Sequence, residues 1–249
     1  MRWILEPCWF RRARLAVPSP FATRVCVISL IGILAACVIA SRASAAPVMA
    51  SNTARQAASA GVPDGSRGTI FVWTDDSGRL LAQHIDAHGA RLWPVEGVEV
   101  AGGAQGSAYP ITVGDGAGGV IVTWIDGRTL QGRVLVQRLD ANGTKPWGPS
   151  GIELRATASY LYVPARACTD GAGGALVTWS EVRDGRTPSV FMQKISAAGA
   201  LLWVPDGVPI AATANEETFP SLLSDGAGGA IVWWTRNGGG IHTRYAPNA

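Results

Sequence analysis

An internal repeat constrains this chain more than any other feature of its sequence. The string Asp-Gly-Ala-Gly-Gly occurs at residues 115–119, 170–174 and 225–229, and a degenerate copy, Asp-Gly-Ser-Arg-Gly, occupies residues 64–68. Successive copies begin 51, 55 and 55 residues apart. In every copy a tryptophan follows nine residues after the aspartate, namely Trp73, Trp124, Trp179 and Trp234. A fixed period of this length predicts a tandem array of one supersecondary unit.

A second anchor follows in each of the first three units. Residues 83–93, 137–147 and 193–203 read QHIDAHGARLW, QRLDANGTKPW and QKISAAGALLW. In each of them a glycine precedes a tryptophan by four residues, and another glycine follows four residues after that tryptophan. Two motifs that recur at constant spacing along the chain do not arise by chance, so the sequence indicates a true repeat.

Each unit is predicted to contain four short strands. The first follows Pro110, Pro164 or Pro220 and ends at the Asp-Gly-x-Gly-Gly turn, where Asp and Gly tolerate left-handed backbone angles. The second strand, residues 120–124 in one unit, is apolar on both faces, which predicts that both faces are covered. A sheet packed between copies of itself is typical of a propeller blade. The predicted fold class is therefore all-β, with tandem four-stranded antiparallel blades in a partial or small β-propeller.

The predicted boundaries follow from the repeat. Residues 1–45 are assigned to a signal peptide, residues 46–63 to a linker and residues 64–249 to the repeats. The blades span about 64–109, 110–163, 164–219 and an incomplete 220–249. Truncation, an oligomerising half-ring and a closed four-bladed ring with one poor blade remain open alternatives.

These motifs resemble those of secreted bacterial β-propeller-like repeat proteins, with the pattern D-G-x-G-G-x-x-x-x-W followed by Q-R-L-D-x-x-G-x-x-L-W over residues 64–249. The second motif is also similar to the tryptophan-docking motif of quinoprotein propellers, with one residue fewer between Asp140 and Gly143. That resemblance implies that a tryptophan of one blade locks onto a neighbouring blade. No quinone ligands match, so no cofactor is expected. The residues assigned to blade docking are Trp93, Trp147, Trp203, Trp124, Trp179 and Trp234.

The N-terminal segment predicts export. Residues 25–40 form an uncharged apolar run after a basic segment, and Ala43-Ser44-Ala45 follows as a small-x-small cleavage site. Residues 34–37, Leu-Ala-Ala-Cys, resemble a lipobox, so lipidation at Cys37 is an alternative to soluble secretion, and an uncleaved anchor is a third. The expected location is secreted or in the cell envelope, with membrane contact only through this leader.

Charge excludes a nucleic-acid partner. Six of the 21 basic residues but only one of the 18 acidic residues lie in the first 45 positions, which leaves 15 basic and 17 acidic side chains beyond them. That slightly acidic remainder gives no electrostatic basis for binding nucleic acid. Cys168 is the only cysteine beyond the leader and is predicted to be a core residue.

The variable connections predict the binding edge. In an up-and-down sheet, alternate turns share one edge, so the constant turns lie together and the variable loops lie at the opposite edge, where recognition usually occurs. Asp75, Asp126 and Glu181 each follow the second-strand tryptophan by two residues. The candidate binding residues at this edge are Asp126, Arg128, Arg133, Tyr160, Tyr162, Glu181, Arg183 and Arg186. No metal-ligand spacing and no catalytic motif is present.

A basic residue recurs at one position of the third strand, as His84, Arg138, Lys194 and Arg244. It is interpreted as part of a solvated outer strand, with an acidic-polysaccharide track as the alternative. The expected function is a non-catalytic binding or scaffold module, not an enzyme, with protein or polysaccharide as partner and self-association through open blade edges. The alternative is a truncated part of a secreted propeller enzyme that acts on glycans.

Overall fold

The computed structural model describes residues 56–102, 106–128, 132–154, 160–183, 185, 187–237 and 239–246. These residues form fifteen β-strands in four antiparallel sheets, which confirms the predicted fold class. The leader, with its cleavage site and Cys37, lies outside the described residues. Within the described ranges no helix of membrane-spanning length and apolarity occurs.

Each sheet is a meander in which consecutive strands are neighbours. The first sheet contains β1 (Gln56–Pro63), β2 (Thr69–Asp75), β3 (Leu80–Ile85) and β4 (Val98–Glu99). The second contains β5 (Ser107–Gly114), β6 (Val120–Asp126), β7 (Arg133–Leu139) and β8 (Ile152–Glu153). The third contains β9 (Tyr160–Thr169), β10 (Ala175–Val182), β11 (Ser189–Ile195) and β12 (Val208–Ala211). The fourth contains β13 (Glu217–Ser224), β14 (Ala230–Arg236) and β15 (Gly240–Ala246).

The strand β1 corrects part of the predicted boundaries. Residues 46–63 were expected to form a linker because they are small and polar, yet Gln56–Pro63 pairs with β2 from Gln56↔Asp75 to Pro63↔Thr69. Strand pairing is made by main-chain groups, so a run poor in β-branched residues still forms a strand when its neighbour presents a free edge. The first sheet therefore has the same four strands as the second and third.

The Asp-Gly-x-Gly-Gly turn is closed by its aspartate. Asp115 accepts hydrogen bonds at Oδ1 from the backbone N–H groups of Ala117 (2.8 Å) and Gly119 (2.7 Å). A Cβ at Gly119 would lie 2.4 Å from the carbonyl oxygen of Leu139, so only glycine fits there. The same closure recurs at Asp170. This chemistry explains why the motif is constant along the chain.

Three of the four third-strand basic residues, His84, Arg138 and Lys194, are not solvated, which corrects their interpretation, whereas Arg244 is exposed. His84 Nε2 lies 2.9 Å from Asp64 Oδ2, and both side chains are almost fully buried. Arg138 forms an ion pair with Asp115 at 2.9 Å. Lys194, also buried, donates from Nζ to the Gly228 carbonyl in the turn of the following sheet. These three side chains contact the aspartate turns, and Arg244 alone of the four positions is exposed, so the four do not form a continuous exposed basic track.

Tryptophans in the connection that follows the third strand join successive sheets. Trp93 donates from Nε1 to the Ala141 carbonyl (3.0 Å), and Trp147 does the same to Ala197 (3.0 Å), each across to the next sheet. A Cβ at Gly143 would lie 3.3 Å from the Trp93 ring, and one at Gly199 would lie 2.8 Å from Trp147. The tryptophan of each of these sheets therefore packs directly on a glycine of the following sheet, where a side chain would leave no room for the ring. Trp203 is half-buried.

Apolar layers fill the spaces between neighbouring sheets. Ile70 of the first sheet packs with Val120 and Val122 of the second, and Ile121 of the second packs with Ala175 and Val177 of the third. Leu176 continues this pattern against Ala230 and Val232 of the fourth. The first strands also contact one another in order, β1 with β5, β5 with β9 and β9 with β13. The first strands thus form the inner side of the array.

The outward face of the fourth sheet differs from its equivalents. Ile231 is 46% exposed, whereas Ile121 and Leu176 at the same repeat position are fully buried. Leu223 and Ile241 on this sheet are also exposed. No further described sheet covers this face, so the array is open at that end.

Candidate functional site

A buried carboxylate ends the second strand in each of the first three sheets. Asp75, Asp126 and Glu181 are all at most 5% exposed. Each pairs with arginine: Asp75 with Arg79 at 2.7 Å, Asp126 with Arg128 at 2.5 Å, and Glu181 with Arg183. A buried charge needs such a partner because an unpaired carboxylate inside a protein is costly. The predicted acids are therefore held in place by ion pairs at the variable-loop edge.

The fourth sheet also has a carboxylate–arginine pair, but here the arginine lies on the second strand and the acid on the first. Arg236 occupies the carboxylate position, and the acid is supplied by Glu217 on the first strand, 2.8 Å from Arg236 Nε. Trp234 donates from Nε1 to Glu217 Oε2 (2.6 Å), and Thr213 donates to Oε1 (2.7 Å). Burial opposes ionisation, but these hydrogen bonds outweigh it and lower the pKa of Glu217. Every oxygen of this carboxylate is thus committed to the fold.

The carboxylate–arginine pair of the second sheet lines a cavity. The cavity has a volume of about 360 Å³ and is lined by Trp124, Asp126, Arg128, Arg133 and Glu153 together with backbone around Gly102 and Ser150. Arg133 links its two acids, because NH2 pairs with Asp126 and NH1 lies 3.1 Å from Glu153 Oε2. The carboxylates of Asp126 and Glu153, which share the Arg133 guanidinium, therefore line the same cavity.

Asp126 stays ionised in this cavity at any pH near neutrality. Burial alone would raise its pKa, but hydrogen bonds from Arg128 and Arg133 outweigh that effect and lower the pKa of Asp126 to about 2. Arg128 Nε donates to Asp126 Oδ1 at 2.8 Å, so one guanidinium contacts both carboxylate oxygens. Both carboxylate oxygens of Asp126 are held by the two arginines, so the group keeps its negative charge and cannot act as an acid.

Two buried donors at this cavity have no hydrogen-bond partner among the described residues. They are Trp124 Nε1 and Arg133 Nε. The equivalent indole of the fourth sheet, Trp234, is occupied by the Glu217 carboxylate. Trp73 and Trp179, which stand at the same repeat position in the first and third sheets, also have a buried Nε1 without a hydrogen-bond partner among the described residues, so the fourth sheet is the exception because Glu217 supplies an acceptor there.

Three of the predicted binding residues, Asp126, Arg128 and Arg133, meet in this cavity. Glu181 and Arg183 form a separate pair in the third sheet, where Arg183 lies 3.5 Å from the centre of the Phe191 ring and donates to the Asp206 carbonyl. Tyr160 and Tyr162 lie on β9, but their side chains are outside the described residues, and so is Arg186. The predicted residues thus form separate groups and not one continuous patch.

Glu153 lines the cavity and is not among the residues predicted from the sequence. It follows Gly151 by two residues on the short strand β8, and Glu99 stands at the same position after Gly97 on β4. That recurrence was a signal available in the sequence. The lone cysteine beyond the leader, Cys168, is buried, and burial raises the pKa of its thiol to about 12, so it is chemically inert at neutral pH.

The described residues contain no group of three or more His, Cys, Asp or Glu side chains arranged to hold a metal ion. The cavity of the second sheet is lined by hydrogen-bond donors and acceptors and by the ring of Trp124. Such a lining suits a neutral, hydroxyl-rich ligand, because each hydroxyl both donates and accepts.

No family model matches this chain, and no curated protein matches it. Solved structures of similar fold include a polysaccharide lyase, 11% identical over 81% of this chain and 53% of that one, with a TM-score of 0.44. An α-L-arabinofuranosidase from Fusarium graminearum is 10% identical over 78% of this chain and 64% of that one, with a TM-score of 0.44. The six-bladed β-propeller lectin of Aleuria aurantia is 10% identical over 80% and 63%, with a TM-score of 0.42.

This chain spans about half of the lyase and less than two thirds of the other two proteins. At such low identity the likeness concerns the fold alone. The class defined by fold and site is therefore an all-β, propeller-type protein with a carboxylate–arginine recess at the variable-loop edge of its second blade.

The expectation of a non-catalytic binding or scaffold module, and not an enzyme, is wrong. It is contradicted by the solved structures of similar fold, which by name are mostly enzymes, including a polysaccharide lyase, arabinofuranosidases and a sialidase. The non-catalytic reading had rested on the near-identity of the turns. Those turns lie at the edge away from the cavity, so their constancy says nothing about the chemistry at the variable edge.

Proposed function

We propose that this protein is a glycan-cleaving enzyme and that the cavity of the second blade is its sugar-binding site. The observation that supports this proposal is the sharing of Arg133 by two carboxylates, Asp126 and Glu153, at one recess beside Trp124. Carboxylates accept hydrogen bonds from sugar hydroxyls, whereas guanidinium and indole N–H groups donate to them. The unpartnered Trp124 Nε1 and Arg133 Nε supply two such donors.

Glycoside hydrolysis requires two carboxyl groups in different roles. One protonates the departing oxygen, and the other, ionised, either attacks the sugar or activates a water molecule. Asp126, with its pKa near 2, fits the ionised role, in which its charge stabilises the oxocarbenium-like transition state. Glu153 has a side chain 37% exposed at the cavity and is assigned the proton-donor role. Arg133 holds both groups in one geometry.

The proposal is tested by incubating the purified protein with soluble arabinan, xylan and alginate and with aryl glycosides, and measuring new reducing ends. Glu153→Gln should lower kcat by about 100-fold or more, because positioned acid catalysis contributes that much. Glu99→Gln is the matched control, since Glu99 stands at the same position of the first blade. Its activity should equal that of the wild type. No cleavage by the wild type, or equal losses in both variants, would refute the proposal.

We also propose that the protein acts outside the cytoplasm, on the strength of the apolar run at residues 25–40 and the cleavage site at residues 43–45. Residues 1–46 fused to a reporter should carry it out of the cytoplasm. The Cys37→Ser variant then separates the two routes: loss of membrane attachment supports a lipoprotein, and unchanged release supports soluble secretion. A reporter that stays in the cytoplasm contradicts export.

A further inference from the structure

Among the described residues, the fourth blade has no counterpart of the short outer strand that completes the other three blades. In those blades the outer strand, β4, β8 or β12, pairs with the third strand. In the fourth blade, β15 pairs with β14 along one edge, and no described strand pairs with its other edge. An open strand edge presents main-chain donors and acceptors that can pair with an additional strand.

The first two blades show what the outer strand contributes. An aliphatic residue at its end donates a backbone N–H to the third strand: Val100 donates to the Leu80 carbonyl (2.8 Å), and Leu154 donates to the Val134 carbonyl (3.0 Å). All four side chains are fully buried in the apolar layer between their own blade and the next. The strand pairings place Ile241 at the position of Leu80 and Val134, and Ile241 is 75% exposed. The fourth blade thus lacks both an outer strand and a following blade over this position in the described structure.

A constant spacing joins each outer strand to the blade that follows it. Five residues separate the end of the outer-strand segment from the first-strand residue that pairs with the end of the next second strand. The residues on either side of the five are Ala101 and Ser107, Arg155 and Leu161, and Ala211 and Glu217. The residue just before each segment end is the buried aliphatic one, namely Val100, Leu154 or Ile210. An outer strand is therefore always joined by this short connection to the blade that packs against it.

The same spacing occurs once more, ahead of the first blade. Gln56 pairs with Asp75 at the end of β2, and five residues separate Gln56 from Ala50. The residue before Ala50 is Met49, so an apolar side chain again holds the position of the buried aliphatic residues. Residues 46–50, Ala-Pro-Val-Met-Ala, therefore have the sequence position of an outer strand, although they lie outside the described residues. Their proline falls at the first residue of that strand, where proline is tolerated.

The first and fourth blades stand at opposite ends of the described array, and each has an apolar face that no described blade covers. Ile231 of the fourth blade is 46% exposed, and Phe71 of the first blade is only half-buried. A connection of five residues spans at most about 18 Å, so a strand at residues 46–50 stays beside the first blade. It can complete only a blade that packs on the first one. A second copy can present such a blade, because its fourth blade has both the open face and the open edge.

We infer that residues 46–50 of one copy form the outer strand of the fourth blade of a second copy, antiparallel to β15. In the register of the other blades, Val48 faces His242, and Met49 donates its N–H to the Ile241 carbonyl. The first blade of the donor copy then packs on the open face, and Met49 fills the apolar layer between the two copies. The strand begins directly after the cleavage site predicted at residues 43–45. This inference does not rest on the proposed glycan-cleaving function.

Disulfide trapping between two separately purified variants tests this strand exchange. Residues that face each other in antiparallel strands have Cβ atoms about 5 Å apart, close enough for a disulfide after a small adjustment. Val48→Cys and His242→Cys, mixed in dilute solution, concentrated and oxidised mildly, should give a covalent dimer on a non-reducing gel. Neither variant alone should give it. Thr53→Cys, in the five-residue connection, is the matched control and should form no dimer with His242→Cys.

A covalent dimer that forms in the mixture and not in the control supports the inference. If the mixture gives none while the double variant Val48→Cys/His242→Cys forms an internal disulfide, the strand closes a single chain and the second copy is ruled out. If neither forms a disulfide, residues 46–50 do not pair with β15 and the inference fails. Adding Met49→Glu to the Val48→Cys variant should abolish the dimer, because a charge would enter the apolar layer. A dimer that persists in that variant would contradict the burial of Met49 between the copies.

Discussion

The tryptophan contacts show how single side chains join the blades. Trp147 is buried, packs on Gly199 of the next blade and donates to Ala197. Trp147→Ala should lower the free energy of unfolding by about 3–5 kcal/mol, the usual cost of truncating a large buried aromatic. Trp203→Ala is the matched control and should cost less, because Trp203 is only half-buried. Urea denaturation of both variants measures this, and equal losses would show that inter-blade docking adds nothing.

Asp126 also makes stability depend on pH. Its pKa falls from 3.8 in the unfolded chain to about 2 in the folded protein, so its ion pairs stabilise the fold above pH 4 and are lost as the pH falls toward 2. The contribution is about 2 kcal/mol at neutral pH. Urea denaturation at pH 7 and pH 3 should show a smaller pH dependence for Asp126→Asn than for the wild type. An unchanged pH dependence would mean that the ion pairs do not form.

Individual site residues were predictable only in part. Asp126, Arg128 and Arg133 were found because they follow the second-strand tryptophan in a variable loop. Glu153 was missed because it lies in a two-residue strand, where no periodicity is visible. His84 and Lys194 were predicted to be solvated, and the partners that bury them come from the turns.

Within one turn, replacing different glycines by alanine should lower the stability of the protein by different amounts. A Cβ at Gly174 would lie 2.3 Å from the Ile195 carbonyl oxygen, whereas nothing lies within 4 Å of one at Gly171, whose φ is +78°. Gly171→Ala should therefore cost about 1 kcal/mol, from backbone strain alone. Gly174→Ala should cost clearly more, because backbone must move. Thermal denaturation compares the two, and a larger loss at Gly171 would contradict the turn geometry.

The strands themselves were largely predictable, because each is bracketed by a turn motif and a tryptophan. The second and third strands of every blade fall where the repeat places them. The exception is β1, whose sequence Gln-Ala-Ala-Ser-Ala-Gly-Val-Pro lacks the alternation of a typical strand. It is specified by its pairing with β2, a long-range interaction that local sequence does not encode.

For the whole molecule, the open face of the fourth blade predicts self-association. Leu223, Ile231 and Ile241 are exposed on this face. At the other end of the array, the first blade presents the half-buried Phe71. Phe71 stands at the repeat position of Val122, which packs the second blade against the first. A second copy can therefore extend the array head to tail by repeating the contact already made between successive blades. Light scattering at micromolar concentration should show a mass above that of the monomer, and Ile231→Glu should reduce it.

The matched control for that experiment is Val204→Glu, an exposed apolar residue in the connection between β11 and β12. It should leave the mass unchanged, because the open face does not include it. A wild type that is monomeric across the concentration range would contradict association through this face.

The central claim is that the cavity of the second blade performs the chemistry, and the repeat supplies its most direct test. Asp126 and Asp75 are equivalent buried acids with arginine partners, and Asp126 lines the cavity of the second blade. The measurement is kcat/KM on a cleaved polysaccharide for Asp126→Asn and Asp75→Asn at a temperature where both are folded. Asp126→Asn should lose about 100-fold or more and Asp75→Asn less than about twofold. Equal values for the two variants would contradict the account.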